Sequence, residues 1–279
     1  MKFMSNMRQP VLLAAVFVLV SGISDVQAFT RGDVDVYGLA ERFTWKEFDD
    51  AGGRLLKESG PRFGVGVAYA HEFPNHLTLK PRIELNGGSV DYEGQACNVF
   101  GTCVPSNTET DYFGFKLEID AGGRFGSSVK VEPFGGLGIR TWARDINDSY
   151  TSLGLAAGYT EQWMTFYGRV GLRMDADFFK GSRVFFEAGA KLPVYTENYI
   201  DDADVSAEAI TLEPGNKPSL FAEAGVKLHR FKISAFYDSM RFKKSPSVVV
   251  YDPSLPGYVT YHQPRSDADM FGLRIGVSF

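Results

Sequence analysis

Charged residues of both signs alternate with apolar residues along several segments of the sequence. Lys116, Glu118 and Asp120 are the clearest case, and Leu117 and Ile119 stand between them. Side chains two residues apart lie on one face of a β-strand, so this spacing gathers opposite charges on a single face, where they can form ion pairs. The same alternation puts nine more charged residues on strand faces of this kind: Glu132, Arg140, Arg169, Arg173, Glu187, Lys191, Glu223, Lys227 and Arg274.

Other chemistry has weaker support. The four histidines, His71, His76, His229 and His262, stand in no motif with a nucleophile, so we predict no catalytic residue and no cofactor. Because active groups on different strands meet only in space, the lack of a local motif leaves an enzyme as an alternative. A net charge of −5 argues against a nucleic-acid partner, whose binding site would be basic and clustered.

The acidic stretch 197–213 is a possible ligand set for divalent cations, which prefer oxygen ligands. Its acids do not follow the spacing of an EF-hand loop, and a solvated loop is the alternative that we adopt. We therefore predict no metal site.

The two cysteines, Cys97 and Cys103, lie in the short polar segment CNVFGTC. In an exported chain a disulfide between them persists, and we predict that it staples a loop. Two unpaired surface thiols are the alternative. We do not expect a zinc site, because two cysteines are too few ligands and no histidine is near in sequence.

Period-two alternation, the mark of strands with two unlike faces, dominates the chain. It predicts ten segments, and eight to twelve strands are compatible with it. Most segments reach the 9–11 residues of a transmembrane strand, whereas strands in soluble sheets average about 5–6. The segments run near 34–45, 62–73, 77–90, 110–121, 129–144, 160–176, 183–195, 219–229, 231–243 and 269–279.

The connections between these segments alternate in length. Short ones are expected at 73–76, 124–128, 179–182 and 229–230, and long loops at 46–61, 91–109, 145–159, 196–218 and 244–268. Short periplasmic turns with longer outer loops are typical of membrane barrels, and an even strand number puts both termini on the short-turn side. The 30 glycines, 23 phenylalanines and 13 tyrosines also suit a barrel built from hairpins.

Residues 1–28 have the features of a cleaved secretory signal peptide. Lys2 and Arg8 precede the apolar run 11–20, and small residues end at Ala28. The run is about ten residues, too short for a membrane helix of about 20. We therefore expect one domain over residues 29–279, an antiparallel up-and-down transmembrane β-barrel, with a formal charge of −6 after removal of Lys2, Arg8 and Asp25.

The last strand resembles that of Gram-negative outer-membrane barrel proteins. Phe271, Leu273, Ile275 and Val277 alternate with polar or small residues, and Phe279 ends the chain. The resemblance covers nearly the whole chain and implies location in the outer membrane, contact with lipid and lipopolysaccharide, and reading of Phe279 by the barrel-assembly machinery. Ten strands also resembles the count of the outer-membrane aspartyl proteases, without a local match to their catalytic segments.

In a barrel, the charged faces point into the lumen. Barrels with few strands have interiors just wide enough for side chains, so we predict a lumen plugged by ion pairs in a non-enzymatic protein with an envelope or surface role. A narrow solute channel and an enzyme acting on lipid or peptide are the alternatives, and the outer partner stays unknown. We expect lipid-interface girdles from Trp142, Trp163, Phe166, Tyr167, Tyr195, Tyr237 and Phe242.

Overall fold

The computed structural model describes residues 32–97, 101–201, 209–252 and 257–279, and all of its regular structure is β. In these ranges no helix is long and apolar enough to span a membrane. The predicted signal peptide lies outside the described residues. The strands are β1 (Gly32–Phe48), β2 (Arg54–Glu72), β3 (Leu77–Cys97), β4 (Cys103–Gly123), β5 (Val129–Ile146), β6 (Ser149–Thr151), β7 (Gly154–Ala156), β8 (Thr160–Phe179), β9 (Ser182–Ile200), β10 (Ile210–Leu212), β11 (Gly215–Lys217), β12 (Ser219–Leu228), β13 (Phe231–Lys243), β14 (Val248–Asp252), β15 (Gly257–Tyr261) and β16 (Arg265–Ser278).

Ten long strands form one closed antiparallel barrel, which confirms the predicted fold class. Each pairs with its neighbours in the order β9-β12-β13-β16-β1-β2-β3-β4-β5-β8, and β8 pairs with β9 to close the ring. The first and last strands meet in a long ladder from Asp35–Ser278 to Phe48–Arg265. Closure leaves no sheet edge among the ten strands, which is what a strand-built protein needs in lipid.

The barrel has two unlike ends. All four predicted short connections are tight turns, and we call their side the turn end. Gly126 and Gly181 have φ values of 98° and 76° there, and His76 and His229 also adopt positive φ. The opposite side, the loop end, carries the hairpins β6–β7 and β14–β15.

Two of the predicted long loops, 46–61 and 91–109, are wrong. β1 and β2 leave only residues 49–53 between them, and β3 and β4 continue to the Cys97–Cys103 pair. Beyond the apolar zone, both faces of these strands carry polar residues, so the alternation of polarity fades while the backbone ladder continues.

An apolar belt surrounds the outside of the barrel. On β16, the outward Phe271, Leu273 and Ile275 are 63, 51 and 59% exposed. In water such a surface would be costly, whereas lipid tails accommodate it. The belt also contains Val36, Phe63, Val65, Val67, Leu77, Leu79, Leu85, Phe113, Ile119, Val129, Leu137, Phe166, Val170, Leu172, Val184, Phe186, Leu192, Leu220, Phe231 and Ile233.

Toward the loop end, the outward side chains become polar. On β1 the outward Ala40 is followed at alternate positions by Arg42, Thr44 and Lys46. The inward Glu41, which interrupts the apolar alternation in the sequence, pairs with Arg62 of β2 at 2.5 Å. With strands of up to 21 residues against the 9–11 that cross a bilayer, the barrel extends well past the belt.

The predicted disulfide is confirmed. Cys97 and Cys103 are bonded and form the last pair of the β3–β4 ladder. The bond therefore closes the tip of the longest hairpin in the barrel, on the loop end.

Replacing both cysteines with serine is expected to loosen this tip and leave the barrel intact. The bond spans a sequence separation of 6, and the ladder below it does not depend on it. We expect a change in global unfolding free energy of less than about 1 kcal/mol, at the low end for disulfides, with faster proteolysis within residues 98–102. Limited chymotrypsin digestion and the heat-modifiable gel shift measure the two effects, and loss of the gel shift in the variant would contradict the prediction.

Candidate functional site

The lumen is the candidate functional site, because the inward faces of the strands carry charged side chains that are almost fully buried. On β4, Lys116, Glu118 and Asp120 are each 2–3% exposed. An unpaired charge in such a place would cost several kcal/mol, so the arrangement of partners decides whether the interior is stable.

Asp238 of β13 is the centre of one cluster. Its Oδ2 accepts a hydrogen bond of 2.5 Å from Nη2 of Arg140, which reaches across the lumen from β5. Lys191 of β9 donates to Oδ1, and the Nζ of Lys116 lies 4.0 Å from Oδ2. One carboxylate thus faces three cations from three different strands.

A second cluster lies around Arg274 of β16. Its Nη2 is 2.9 Å from Oε1 of Glu84, and its Nη1 is 2.7 Å from Oε2 of Glu223. Lys116 also donates to Glu84, which links this cluster to Asp238. The ion pairs therefore tie strands on opposite walls into one network.

The third cluster is nearer the turn end. Arg169 donates to Glu118 and, at 2.8 Å, to Oε1 of Glu187. Arg173 donates to the other oxygen of Glu187 at 2.6 Å and to Oε1 of Glu132 at 3.0 Å. Such charge-assisted hydrogen bonds are about twice as strong as neutral ones.

All twelve charged residues that the sequence assigns to the lumen lie on inward positions. Eleven belong to the three clusters, Asp120 through its ion pair with Arg173, and Lys227 stands at the turn end, where its Nζ is 2.8 Å from Asp33. The sequence interpretation missed Glu84 and Asp238. Glu84 was predictable, because it alternates with the charged Lys80 and Arg82 along β3. Asp238 was not, because the inward residues two positions before and after it, Phe236 and Met240, are apolar and interrupt the polar alternation.

An aromatic layer, which we define as Trp45, Trp142, Trp163 and Phe242, fills the lumen above these clusters. Trp142 and Trp163 stack at 5.3 Å between centroids, and Trp45 meets Trp163 edge-on at 5.1 Å. Each of the four side chains is at most 9% exposed, and all three tryptophans of the chain are among them.

The predicted lipid-interface girdle is therefore wrong for Trp142, Trp163, Tyr167 and Phe242, which are buried in the lumen. Each lies an even number of residues from an inward charged residue of its own strand: Trp142 from Arg140, Trp163 and Tyr167 from Arg169, and Phe242 from Asp238. They therefore share the charged face rather than the lipid face. Phe166, Tyr195 and Tyr237 do lie on the outward face, with exposures of 38% and 37% for the first two.

Above the aromatic layer, Arg144 joins three carboxylates. Its Nη2 is 2.6 Å from Glu58, and its Nη1 is 2.9 Å from Glu161 and 3.2 Å from Glu47. Gln263, from the loop-end segment before β16, donates to Glu47 at 3.1 Å. The loop end is thus fastened to the interior by a buried polar cluster.

Glycines on the lumen wall make room for large rings. A Cβ on Gly138 would lie 2.5 Å from the ring of Tyr167, and one on Gly66 would lie 2.5 Å from the ring of Tyr37. Both distances are shorter than any packed contact, so only glycine lets these rings lie flat on the neighbouring strand. This close packing removes space that a conduit would need.

The remaining space is unevenly distributed. A cavity of about 180 Å³, which we call the vestibule, opens at the turn end and is lined by charged residues including Asp33, Asp35, Arg82 and Lys232. Two further cavities, beside the aromatic layer and between the ion-paired clusters, are each about 20 Å³. That is room for about one water molecule.

The two loop-end hairpins carry exposed apolar side chains. Tyr150 is 88% exposed and Leu155 57% exposed on β6–β7, and Tyr251 and Tyr258 are 51% and 76% exposed on β14–β15. The opposite face of β14–β15 packs on Ile200, Ile210 and Leu212. Exposed apolar side chains in groups are typical of interaction surfaces.

Few acids of the stretch 197–213 can be placed. Glu197 accepts from the hydroxyl of Tyr195 at 2.5 Å, and Asp201 accepts from Tyr199 at 3.2 Å. Residues 202–208 lie outside the described residues.

Elsewhere on the loop end, a hydrogen bond from Lys244 holds the pKa of the exposed Asp50 carboxyl below its usual value.

Comparison with known proteins shows the fold. No family model matches the sequence, and no curated protein matches it. The outer membrane protease OmpT from Escherichia coli superposes with a TM-score of 0.59 at 9% identity, over 90% of this chain and 97% of that chain.

Two further structures align with lower TM-scores. The transport unit of the autotransporter AIDA-I from Escherichia coli gives 0.42 at 10% identity, over 96% of this chain and 97% of that chain. The translocator domain of the autotransporter NalP from Neisseria meningitidis gives 0.41 at 10% identity, over 94% and 95%. At 9% identity the OmpT superposition shows the fold alone: the chain has the fold of a Gram-negative outer-membrane β-barrel.

Proposed function

We propose that this protein is a non-conducting, non-enzymatic barrel of the outer membrane, with the turn end in the periplasm and the loop end outside the cell. The orientation follows the usual placement of short turns and long loops in such barrels. The apolar belt supports lipid and lipopolysaccharide as its surroundings. Phe279, 70% exposed at the end of the last strand, is the residue that we assign to recognition by the barrel-assembly machinery.

One observation carries the non-conducting assignment. Between the vestibule and the loop end, the lumen is occupied by three ion-paired clusters, the aromatic layer and the Arg144 cluster, with residual cavities of about 20 Å³. An ion that crossed would have to displace paired charges in a medium of low dielectric, which costs many kcal/mol.

Solute flux through proteoliposomes tests this proposal. Refolded protein that shows the heat-modifiable gel shift is reconstituted, and the efflux of a small sugar and of chloride is compared with protein-free vesicles. We expect equal rates. Faster efflux that scales with the amount of folded protein would contradict the proposal.

A narrow channel is the second candidate, and the vestibule is the observation that favours it, since a conduit could begin there. The two candidates differ in what Arg169→Gln does. A plugged lumen predicts lower stability without flux, because Glu118 and Glu187 each lose one charged partner. A channel predicts a folded protein with altered ion selectivity.

The placement of the histidines supports a non-enzymatic role. His76 and His229 lie in turn-end turns, His71 is at the turn end of β2 on the outward face, and His262 precedes β16. None of these four is within the lumen clusters. Assays with peptide and phospholipid substrates are expected to show no turnover, and turnover that is lost on replacing one histidine would contradict this part of the proposal.

The exposed hairpins support a role at the cell surface. Tyr251 and Tyr258 form a ring pair at 5.6 Å between centroids on the outward face of β14–β15. Cells that carry the protein are expected to adhere to extracellular-matrix proteins more than cells that carry the double variant Tyr251→Ser/Tyr258→Ser. Equal adhesion at equal surface amounts would remove this hairpin from the proposed role.

A further inference from the structure

The vestibule at the turn end is wide enough for a small ligand and leads directly to buried charges. Its volume is about 180 Å³, many times the roughly 10–15 Å³ of cavity volume that is enough to hold one water. Arg82 and Lys80 of β3 line its inner part, and Asp33, Asp35 and Lys232 line its outer part.

Arg82 is held differently from its neighbours. Its Nη1 is 3.6 Å from Oε2 of Glu223, and its Nη2 is 3.9 Å from Oε2 of Glu187. Both distances exceed a hydrogen bond, and Arg82 makes none with any residue that the structure describes. A guanidinium with 18% side-chain exposure has five donors to satisfy.

The two nearby carboxylates are already engaged by other groups. Glu223 accepts from Arg274 at 2.7 Å and from the hydroxyl of Ser234 at 2.8 Å. Glu187 accepts from Arg169 at 2.8 Å and from Arg173 at 2.6 Å. Arg82 therefore approaches these groups without becoming the principal partner of either.

The other cations around the vestibule all have close partners. Lys80 is 2.7 Å from Glu132, and Arg124 is 2.5 Å from Asp175. Lys227 and Lys232 are each 2.8 Å from an aspartate, and Arg183 is 2.9 Å from Asp177. Among the described residues that line this cavity, Arg82 is the cation that makes no hydrogen bond.

The numbers of positive and negative charges in the inner lumen also indicate that one cation has no carboxylate partner of its own. Between the vestibule and the aromatic layer, inward positions hold nine cations and eight carboxylates, which leaves one surplus positive charge. A surplus buried charge is costly unless a counter-ion accompanies it. The cations are Arg62, Lys80, Arg82, Lys116, Arg140, Arg169, Arg173, Lys191 and Arg274, and the carboxylates are Glu41, Glu84, Glu118, Asp120, Glu132, Glu187, Glu223 and Asp238.

We propose that the vestibule binds a small oxyanion, a carboxylate or a phosphate group that enters from the turn end, and that Arg82 is its principal ligand. The planar guanidinium offers parallel donors that match such groups and bind them in a bidentate manner. The bound anion would neutralise the surplus charge. The site lies below the aromatic layer, so the proposal stands whether or not the lumen conducts.

Binding is tested with two probes on the refolded full barrel in detergent at constant ionic strength. Titration of protein into inorganic phosphate is followed by phosphorus NMR, and titration into ¹³C-labelled acetate by carbon NMR. We expect saturable one-to-one binding of at least one probe. Binding of phosphate alone identifies a phosphorylated ligand, and binding of acetate alone identifies a carboxylate.

Arg82→Gln is the principal variant, and Arg183→Gln is its matched control, because Arg183 lines the same cavity but is bonded to Asp177. We expect Arg82→Gln to weaken binding by about tenfold or more and the control to change it by less than about threefold. Arg82→Lys keeps the positive charge and loses the parallel donors of the guanidinium, so we expect an intermediate loss of binding affinity. This variant replaces Arg82→Gln in the test if the glutamine variant does not fold. No saturable binding of either probe, or binding insensitive to Arg82, would overturn the proposal.

Discussion

Asp238→Asn is expected to lower the free energy of unfolding by about 3–5 kcal/mol, the range for breaking a buried ion pair from one side. The asparagine keeps the shape of the aspartate but leaves Arg140 and Lys191 without their anion, and both are at most 9% exposed. Lys116 retains Glu84. Urea titration in lipid vesicles, followed by the heat-modifiable gel shift, measures the change in unfolding free energy.

Asp269→Asn is the matched control. Asp269 also pairs with an arginine, Arg241, but on the outward wall near the loop end, where its side chain is 35% exposed. Exposed pairs contribute about 0–1 kcal/mol. Equal losses in the two variants would mean that the lumen network does not have the stabilising role that its burial implies.

Trp163→Ala is the second change with a large expected effect, again about 3–5 kcal/mol of unfolding free energy. The indole is 2% exposed and contacts Trp142, Trp45 and Phe242, and its Nε1 donates to Glu161 at 2.8 Å. The substitution leaves a cavity in the aromatic layer and removes a hydrogen bond from a buried carboxylate.

Tyr150→Ala provides the comparison, because this residue is 88% exposed on the β6–β7 hairpin. Its removal is expected to change the unfolding free energy by no more than about 0.5 kcal/mol. A small effect of Trp163→Ala, close to that of Tyr150→Ala, would show that the aromatic layer is not a packed part of the barrel.

The sequence predicts the barrel and its turns because both follow from local rules. Alternation along β16 defines one lipid face, and the residues 73–76 and 229–230 leave too few positions for anything but a turn. The loop-end halves of β3 and β4 cannot be predicted from the alternation of apolar and polar residues. Their outward Asp91 and Glu109 are polar, and the inward residues beside them include both the apolar Val90 and the polar Thr110, so no regular apolar face distinguishes strand from loop.

Partners across the lumen are beyond sequence reasoning. Arg140 and Asp238 are 98 residues apart, and their contact depends on the register and shear of the whole ring. The inward direction of the Trp142 side chain was predictable, because Trp142 lies two residues from both Arg140 and Arg144 and therefore on the same face of β5. The prediction put Trp142 on the wrong face because it relied on the general preference of tryptophan for lipid interfaces. The alternation of inward and outward residues along β5 was the better guide.

Single-channel recording in planar bilayers tests the central claim, a closed lumen, most directly. Refolded full barrel with a complete heat-modifiable gel shift is added from detergent, with a known porin as the positive control for insertion. The account predicts insertion without discrete conductance steps. Reproducible steps whose ion selectivity changes on Arg140→Gln or Arg169→Gln would contradict it and make the protein a channel.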